Sequence, residues 1–209
     1  KKTNGTAVIY DLFLSHKQKD IDSMFQVRMK DLAARMYENL NGRGHSSFLD
    51  TNYNGNSWNK LPNLVASSKT IVILMSENFV ESPWCVLELL SAIMHQRPIA
   101  FFRISDTFKL PAFKKQLVGI GFPFVNALDQ YSVEINYSEE YFNAAMDKIV
   151  ERFDINEQDH PMSVECIVTP DQVVKQFRLL RDARNEMFPE LRPWPLWGMN
   201  EEQPRVAEV

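Results

Sequence analysis

Short apolar segments rich in β-branched and aromatic residues alternate along this chain with segments whose apolar residues recur at helical spacing. This alternation restricts the fold more than any other feature, because strands separated by helices pair through helical crossovers. The strand signals lie at residues 7–15, 47–49, 69–76, 97–104 and 122–125. The chain is therefore predicted to form an α/β domain, with a flavodoxin-like parallel sheet of about five strands and helices on both faces.

The helical signals fall between these strands and have recognisable ends. Ser82 and Pro83 form an N-cap and an N1 proline, and residues 41–44, Asn-Gly-Arg-Gly, are a C-cap signal. Residues 69–76, by contrast, are apolar without alternation, which is typical of a central strand covered on both faces. The predicted helices lie at residues 20–41, 57–65, 83–94, 111–117 and 138–153.

Beyond residue 153 the sequence changes character, so we predict a domain at residues 7–153 and an extension at residues 154–209. Residues 154–163 are polar and typical of a linker, and a helix follows at residues 170–188. This helix is expected to dock on the main domain or to lead into a neighbouring one, because one helix cannot bury a core alone. The tail after it contains prolines and two tryptophans, and is either an interaction segment or disordered.

The composition argues against several classes of function. With 23 basic and 27 acidic residues the formal charge is −4, which leaves no basic surplus for binding nucleic acid. No apolar run approaches the roughly 20 residues that cross a bilayer, so no membrane segment is expected in this chain. The two cysteines, Cys85 and Cys166, and the histidines show no metal-ligand spacing, so no metal is expected. So few cysteines indicate a reducing, cytoplasmic compartment.

Three segments in series resemble the motifs of Toll/interleukin receptor (TIR) domains. Residues 10–16, YDLFLSH, resemble the family's opening (F/Y)D(V/A)F(I/L)S box, and residues 48–50, FLD, end the second strand before a polar loop. Residues 76–79, SENF, precede residues 82–89, SPWCVLEL, which are similar to the S-x-W-C-x-x-E-L segment of plant and many microbial members. Order and spacing also agree. The resemblance covers about residues 10–89 and implies the TIR fold, with the extension outside it.

Members of this family are either adaptors that signal by TIR–TIR contact or enzymes that cleave NAD+ to nicotinamide and ADP-ribose or a cyclic product. In the enzymes the essential carboxylate is the glutamate of a W-x-x-x-E pattern, which corresponds here to Trp84 and Glu88. The resemblance implies an NAD+ hydrolase of immune or cell-death signalling, with Glu88 catalytic. NAD+ would be its substrate, with no separate cofactor. The resemblance also implies self-association, in which the loop at residues 50–57 completes a neighbour's site.

The chemistry of NAD+ cleavage suits these residue types. Nicotinamide leaves as a neutral molecule, so no general acid is needed, and one carboxylate can stabilise the oxocarbenium-like sugar. Trp84 and Glu88 are one helical turn apart, so they project from one face of the predicted helix. An indole beside the carboxylate is suited to stacking on a flat ring.

The other substrate-binding candidates are Ser15, His16, Lys17 and Asp50, which follow predicted strands at the edge where sites gather in parallel sheets. Lys17 is suited to a pyrophosphate and Asp50 to ribose hydroxyls. Apart from Ser15, each candidate residue also has a plain structural interpretation. In that interpretation His16 and Lys17 are solvated loop residues, and Asp50 forms an Asx-turn. Glu88 is then a carboxylate on the helix surface, and Trp84 is a core residue.

Other functions remain open at this point. A non-catalytic module that acts through TIR–TIR assembly has the same motifs. Lys17 is the one cation where some NAD+-cleaving relatives carry arginines, and lysine lacks the bidentate fork of arginine. A phosphate receiver fits the topology only, because Ser15-His16 stands where an acidic pair is expected. Cys85 has no His/Asn partner pattern, so a packed thiol is expected rather than a nucleophile.

Overall fold

A computed structural model of the chain describes residues 10–21, 27–49, 60–104, 108–136, 140–159, 168–191 and 193–194. The predicted fold class is confirmed. The strands are β1 (Tyr10–Ser15), β2 (Ser47–Leu49), β3 (Ser68–Met75), β4 (Ile99–Arg103) and β5 (Ser132–Asn136). These five parallel strands form one sheet in the order β2-β1-β3-β4-β5.

Helices cover both faces of this sheet. They are α1 (Met29–Gly42), α2 (Leu61–Ala66), α3 (Pro83–Met94), α4 (Leu110–Gly119), α5 (Leu128–Tyr131), α6 (Phe142–Asp159) and α7 (Pro170–Met187). Alternate residues of the strands point to opposite sides. Phe13 therefore belongs to a core shared with α2, α3, α4 and α7, while Leu12 and Leu14 belong to a core shared with α1 and α6. Within the described residues no helix is long and apolar enough to cross a membrane.

The prediction of a strand at residues 122–125 is wrong, because this segment closes the C-terminus of α4 and leads into a 3-10 turn at Val125–Ala127. Gly121 has a φ of +73°, and the Phe122 N–H donates to the Leu117 carbonyl at 2.9 Å, which is a Schellman closure. Phe122 is therefore the apolar residue that seals a helix end. The fifth strand lies ten residues later at β5, an edge strand whose polar residues alternate with the apolar Val133 and Ile135.

Two helix boundaries also differ from the prediction. α1 begins at Met29 rather than near Asp20, since Ile21 pairs with Arg28 in an isolated antiparallel bridge. The apolar Ile21 is 53% exposed, so it does not belong to the buried stripe of the helix. At its other end α1 stops at Gly42, within the predicted C-cap signal. α6 continues through residues 154–159, which had been predicted to be linker.

The extension docks on the main domain as a further layer over α2 and α3. Thr169 caps α7 in a capping box, in which it exchanges hydrogen bonds with Gln172. One face of α7, including Phe177, is buried against the core on the α3 side of the sheet. Trp194 stacks on Phe177, with 5.8 Å between the ring centroids. Trp197 lies outside the described residues.

Candidate active site

A hydroxyl and a carboxylate meet at the carboxyl end of the sheet. Ser15, the last residue of β1, points to the α3 side like Phe13, because side chains alternate along a strand. The Ser15 Oγ donates a hydrogen bond of 2.5 Å to Oε2 of Glu88 on α3. Both side chains are buried, and only 3% of Glu88 is exposed. Two of the residues singled out from the sequence therefore form one buried pair.

The position of Glu88 follows from how α3 begins and what surrounds it. Ser82 is the N-cap, and its hydroxyl accepts a hydrogen bond from the Cys85 N–H at 3.4 Å. From Cys85 to Ile93 every residue of the helix is buried, and Glu88 is the only charged one among them. A carboxylate removed from water needs donors to offset the lost solvation, and Ser15 supplies one.

Cys85 lies three residues before this carboxylate and is itself buried. Burial, reinforced by the negative charge of Glu88, raises the pKa of the Cys85 thiol well above its ordinary value. A thiol that stays protonated at neutral pH is a poor nucleophile. Cys85 is therefore a packed thiol, in agreement with the sequence analysis.

The loop after β1 is held to the loop after β3 by Asp20, a residue that the sequence analysis did not select. The buried Asp20 carboxylate accepts hydrogen bonds from the Ser76 hydroxyl at 2.5 Å and from the Asn78 amide at 3.3 Å. Lys17 lies next to these hydrogen bonds, with its Nζ 2.8 Å from a carboxylate oxygen of Glu81 and 3.5 Å from one of Asp20. The loops that follow two adjacent parallel strands lie side by side at the carboxyl edge of the sheet. A contact between the loops after β1 and β3 is therefore expected once these strands are assigned as neighbours.

An open cleft of about 450 Å³ lies between the main domain and the extension. Lys17 and Trp84, both predicted to bind substrate, are on one side of it. Trp84 is half-buried and also packs against the core of the α3 side. The remaining lining residues come from the two sides of the cleft and are Glu81, Pro83, Arg184, Leu191, Pro193 and Trp194.

The extension contributes a buried cation to this cleft. The Arg184 guanidinium carbon lies 4.7 Å from the centre of the Trp194 ring, and 4% of Arg184 is exposed. Burial lowers the pKa of Arg184, while the negative charges of Glu81 and Glu190 oppose that shift. An arginine stays protonated at neutral pH. Arg184 was not among the predicted site residues, because nothing in the local sequence shows where α7 docks.

A set of hydrogen bonds fixes Trp194 beneath Arg184. The side-chain amide of Asn185 accepts from the Trp194 N–H at 2.9 Å and donates to the Trp194 carbonyl at 3.0 Å. The indole Nε1 donates to the backbone carbonyl of Glu81 at 3.2 Å. The tail is therefore attached both to α7 and to the segment just before α3.

His16 and Asp50, the other two candidates, are not brought to this cleft by any described contact. The His16 ring is buried, forms a hydrogen bond with the backbone of Leu14 and lies near the positive charge of Lys30 in α1. Burial lowers its pKa to about 4, so the ring is neutral at pH 7. Asp50 lies outside the described residues. In the part of the chain that the structure describes, no group of His, Cys, Asp or Glu side chains could hold a metal ion.

Comparison with known proteins gives one family match. A family model described as "TIR domain" matches residues 13–132. Among solved structures, the chain is similar to the TIR domains of the activated Roq1 resistosome directly recognizing the pathogen effector XopQ. The identity is 17% and the TM-score 0.40, over 80% of this chain and 99% of that chain. Curated protein sequences give no match.

Proposed function

The chain belongs to the TIR domain family, and from that premise we propose that it is a cytoplasmic NAD+ hydrolase with Glu88 as the catalytic residue. It breaks the bond between nicotinamide and ribose and gives nicotinamide and ADP-ribose, or a cyclic ADP-ribose product, in immune or cell-death signalling. The observation that supports this proposal is the Ser15–Glu88 pair, a buried carboxylate held by a hydroxyl at the carboxyl end of the sheet.

The reaction needs little from the protein beyond a placed negative charge. As the C1′–N bond breaks, the electron pair leaves with nicotinamide, which becomes neutral, and positive charge develops on the ribose. Glu88 stabilises that charge more strongly in a dry site than it would in water. Water then adds to C1′ and releases one proton, which gives ADP-ribose.

Other residues bind and orient the substrate in this proposal. Ser15 holds Glu88 in a single position through its hydrogen bond. Trp84 offers an aromatic surface one turn before Glu88, and Lys17 provides a cation in the adjoining cleft. His16 and Asp50 remain candidates for contact with the substrate on the ground of the sequence alone, which places them after strands at the carboxyl edge of the sheet.

We further propose that the chain acts as a homo-oligomer with other TIR domains. In the single chain only 3% of Glu88 is exposed, so NAD+ reaches the carboxylate only after a rearrangement. Association between copies is a source of that rearrangement, since it orders the loops around a site at the sheet edge. Nicotinamide release per molecule should therefore rise with protein concentration. A rate per molecule that stays constant over a wide dilution series contradicts this part of the proposal.

The test of the catalytic role is nicotinamide release from NAD+ by the concentrated chain. Glu88→Gln keeps the shape and removes the charge, so the rate should fall by roughly 100-fold or more. Glu38→Gln, at an exposed position on α1, is the matched control and should retain the wild-type rate. If the wild-type chain leaves NAD+ intact at high concentration, or if folded Glu88→Gln is as active as wild type, the proposal is wrong.

The burial of Glu88 also favours one alternative, a non-catalytic TIR module that signals by homotypic assembly. In that case the Ser15–Glu88 hydrogen bond only ties β1 to α3. This alternative predicts association that depends on concentration, without nicotinamide release. A chain that remains monomeric when concentrated contradicts it.

A further inference from the structure

We propose that the cleft beside the extension binds the pyrophosphate of a dinucleotide between Lys17 and Arg184, and that Glu81 is an internal carboxylate which this ligand displaces. The inference rests on the proposed function and extends it, because it assigns a part of the substrate to a part of the site. It also gives the extension a binding role.

Two cations from distant parts of the chain line this cleft. Lys17 comes from the loop after β1 and Arg184 from the last turn of α7, and both side chains are largely covered. A guanidinium presents a planar fork that binds two phosphate oxygens, and an ammonium acts as a point charge. A pair of cations of these two kinds suits a ligand with two adjacent negative groups better than one with a single charge.

Arg184 is held in place before any ligand arrives. The Trp194 ring lies against its guanidinium, and Asn185 fixes the backbone of Trp194 on both sides. Phe177 stacks against the same ring. A cation that is already oriented loses little conformational freedom on binding, so this packing favours tight recognition of an anion.

Glu81 occupies the position of an anion in the free protein. Its carboxylate lies 2.8 Å from the Lys17 Nζ, and its negative charge also acts on Arg184. The Glu81 side chain is 62% exposed, so its ion pair is weak and the carboxylate can swing into water. A pyrophosphate carries more charge and accepts more hydrogen bonds, and so competes well for both cations.

The two chain segments that carry the proposed catalytic pair, Ser15 and Glu88, also carry lining residues of the cleft. Lys17 is two residues beyond Ser15, and Trp84 is one turn before Glu88 on α3. A dinucleotide whose pyrophosphate lies in the cleft is thus held next to the segments that carry the carboxylate.

The test is binding of ADP-ribose to the full chain by titration calorimetry, with adenosine as the ligand that lacks phosphate. Arg184→Gln should weaken ADP-ribose binding by about tenfold or more and leave adenosine unaffected. Glu81→Gln should tighten ADP-ribose binding by up to about fivefold, because the competing carboxylate is gone. Arg178→Gln, at an exposed position on the same helix, is the matched control and should bind as wild type.

The opposite signs of the two effects separate a binding role from a structural one. If Arg184→Gln and Glu81→Gln both weaken ADP-ribose binding, or if adenosine binding falls equally, the residues act on packing and the inference is overturned. Arg184→Lys keeps the charge and should recover part of the affinity. If Arg184→Lys binds no better than Arg184→Gln, positive charge at this position does not attract the ligand, which also overturns the inference.

Failure of this inference is distinct from failure of the proposed function. If the chain binds ADP-ribose in an Arg184-dependent way but releases no nicotinamide, the inference about the binding site stands and the proposed hydrolase function is wrong. If the Arg184→Gln variant hydrolyses NAD+ with the KM of wild type, the proposed hydrolase function stands and the inference about the binding site is wrong.

Discussion

The two faces of the sheet share the same strands but are covered in different ways. On one face α1 buries a single apolar stripe, and its opposite side is exposed to solvent. On the other face α3 is buried all round, because it is packed against the sheet, α2 and α7. The extension therefore completes the core of the α3 face. It also explains why Glu88 can be held out of water on α3, whereas a charge on the outer side of α1 would be solvated.

Breaking the contact between the extension and the α3 face should change stability the most. Phe177 on α7 is 2% exposed and stacks on Trp194. Phe177→Ala should lower the free energy of unfolding by about 3–5 kcal/mol, measured by urea denaturation. Leu179→Ala, at a position 57% exposed on the same helix, is the control and should change it by less than about 0.5 kcal/mol. If Phe177→Ala unfolds like wild type, the extension is not part of this core.

The second expected effect concerns acid, because among the described residues each face of the sheet has a buried histidine. His16 faces α1, and His95 is the C-cap of α3. Burial lowers the pKa of each ring from 6.5 to about 4. Between these values the unfolded chain binds protons that the folded chain does not, so stability should fall as the pH drops from about 6.5 to about 4. The loss is at most about 3 kcal/mol for each ring.

Urea denaturation at a series of pH values tests this assignment. His16→Gln and His95→Gln should each remove one part of the pH dependence, and the double variant should remove both parts. Equal contributions would show that the α1 face excludes water as well as the thicker α3 face does. If His16→Gln retains the full pH dependence of wild type, the His16 ring is not buried in solution.

The smallest effect tests the buried pair itself. Ser15→Ala takes a hydrogen-bond donor from the Glu88 carboxylate and should lower the free energy of unfolding by about 1–3 kcal/mol. In a Glu88→Leu background the same change should cost much less, because no buried carboxylate then requires a donor. A double-mutant cycle measures the difference. Equal costs in both backgrounds would mean that Ser15 contributes packing alone.

Local patterns predicted most of the fold. Ser82 and Pro83 place the start of α3, and the apolar run at residues 69–76 identifies β3, because caps and periodicity depend on residues that are close in sequence. The wrong strand at residues 122–125 shows the limit of this reasoning. An apolar Phe122 suits a strand and a Schellman closure equally, and only its bond to Leu117 distinguishes them.

The candidate site was predictable only in part. Ser15 and Glu88 were both selected on the family motifs, but nothing local indicates that the hydroxyl would donate to the carboxylate 73 residues away. In the sequence Asp20 looks like an ordinary loop residue. Its part in joining the two loops is visible only from its hydrogen bond with Ser76. In the sequence Arg184 looks like the other arginines of α7. Only the docking of this helix buries Arg184 and places it in the cleft.

Local sequence patterns predicted the alternation of strands and helices, the covering of the sheet on both faces and the polar groups at its carboxyl edge, but they misplaced the fifth strand. These follow from periodicity and capping, which are set by neighbours within a few residues. The contact of Ser15 with Glu88 and the shared cleft of Lys17 and Arg184 were visible only in the folded chain. Such meetings depend on strand register and on the docking of α7, which arise from packing between segments far apart in the chain.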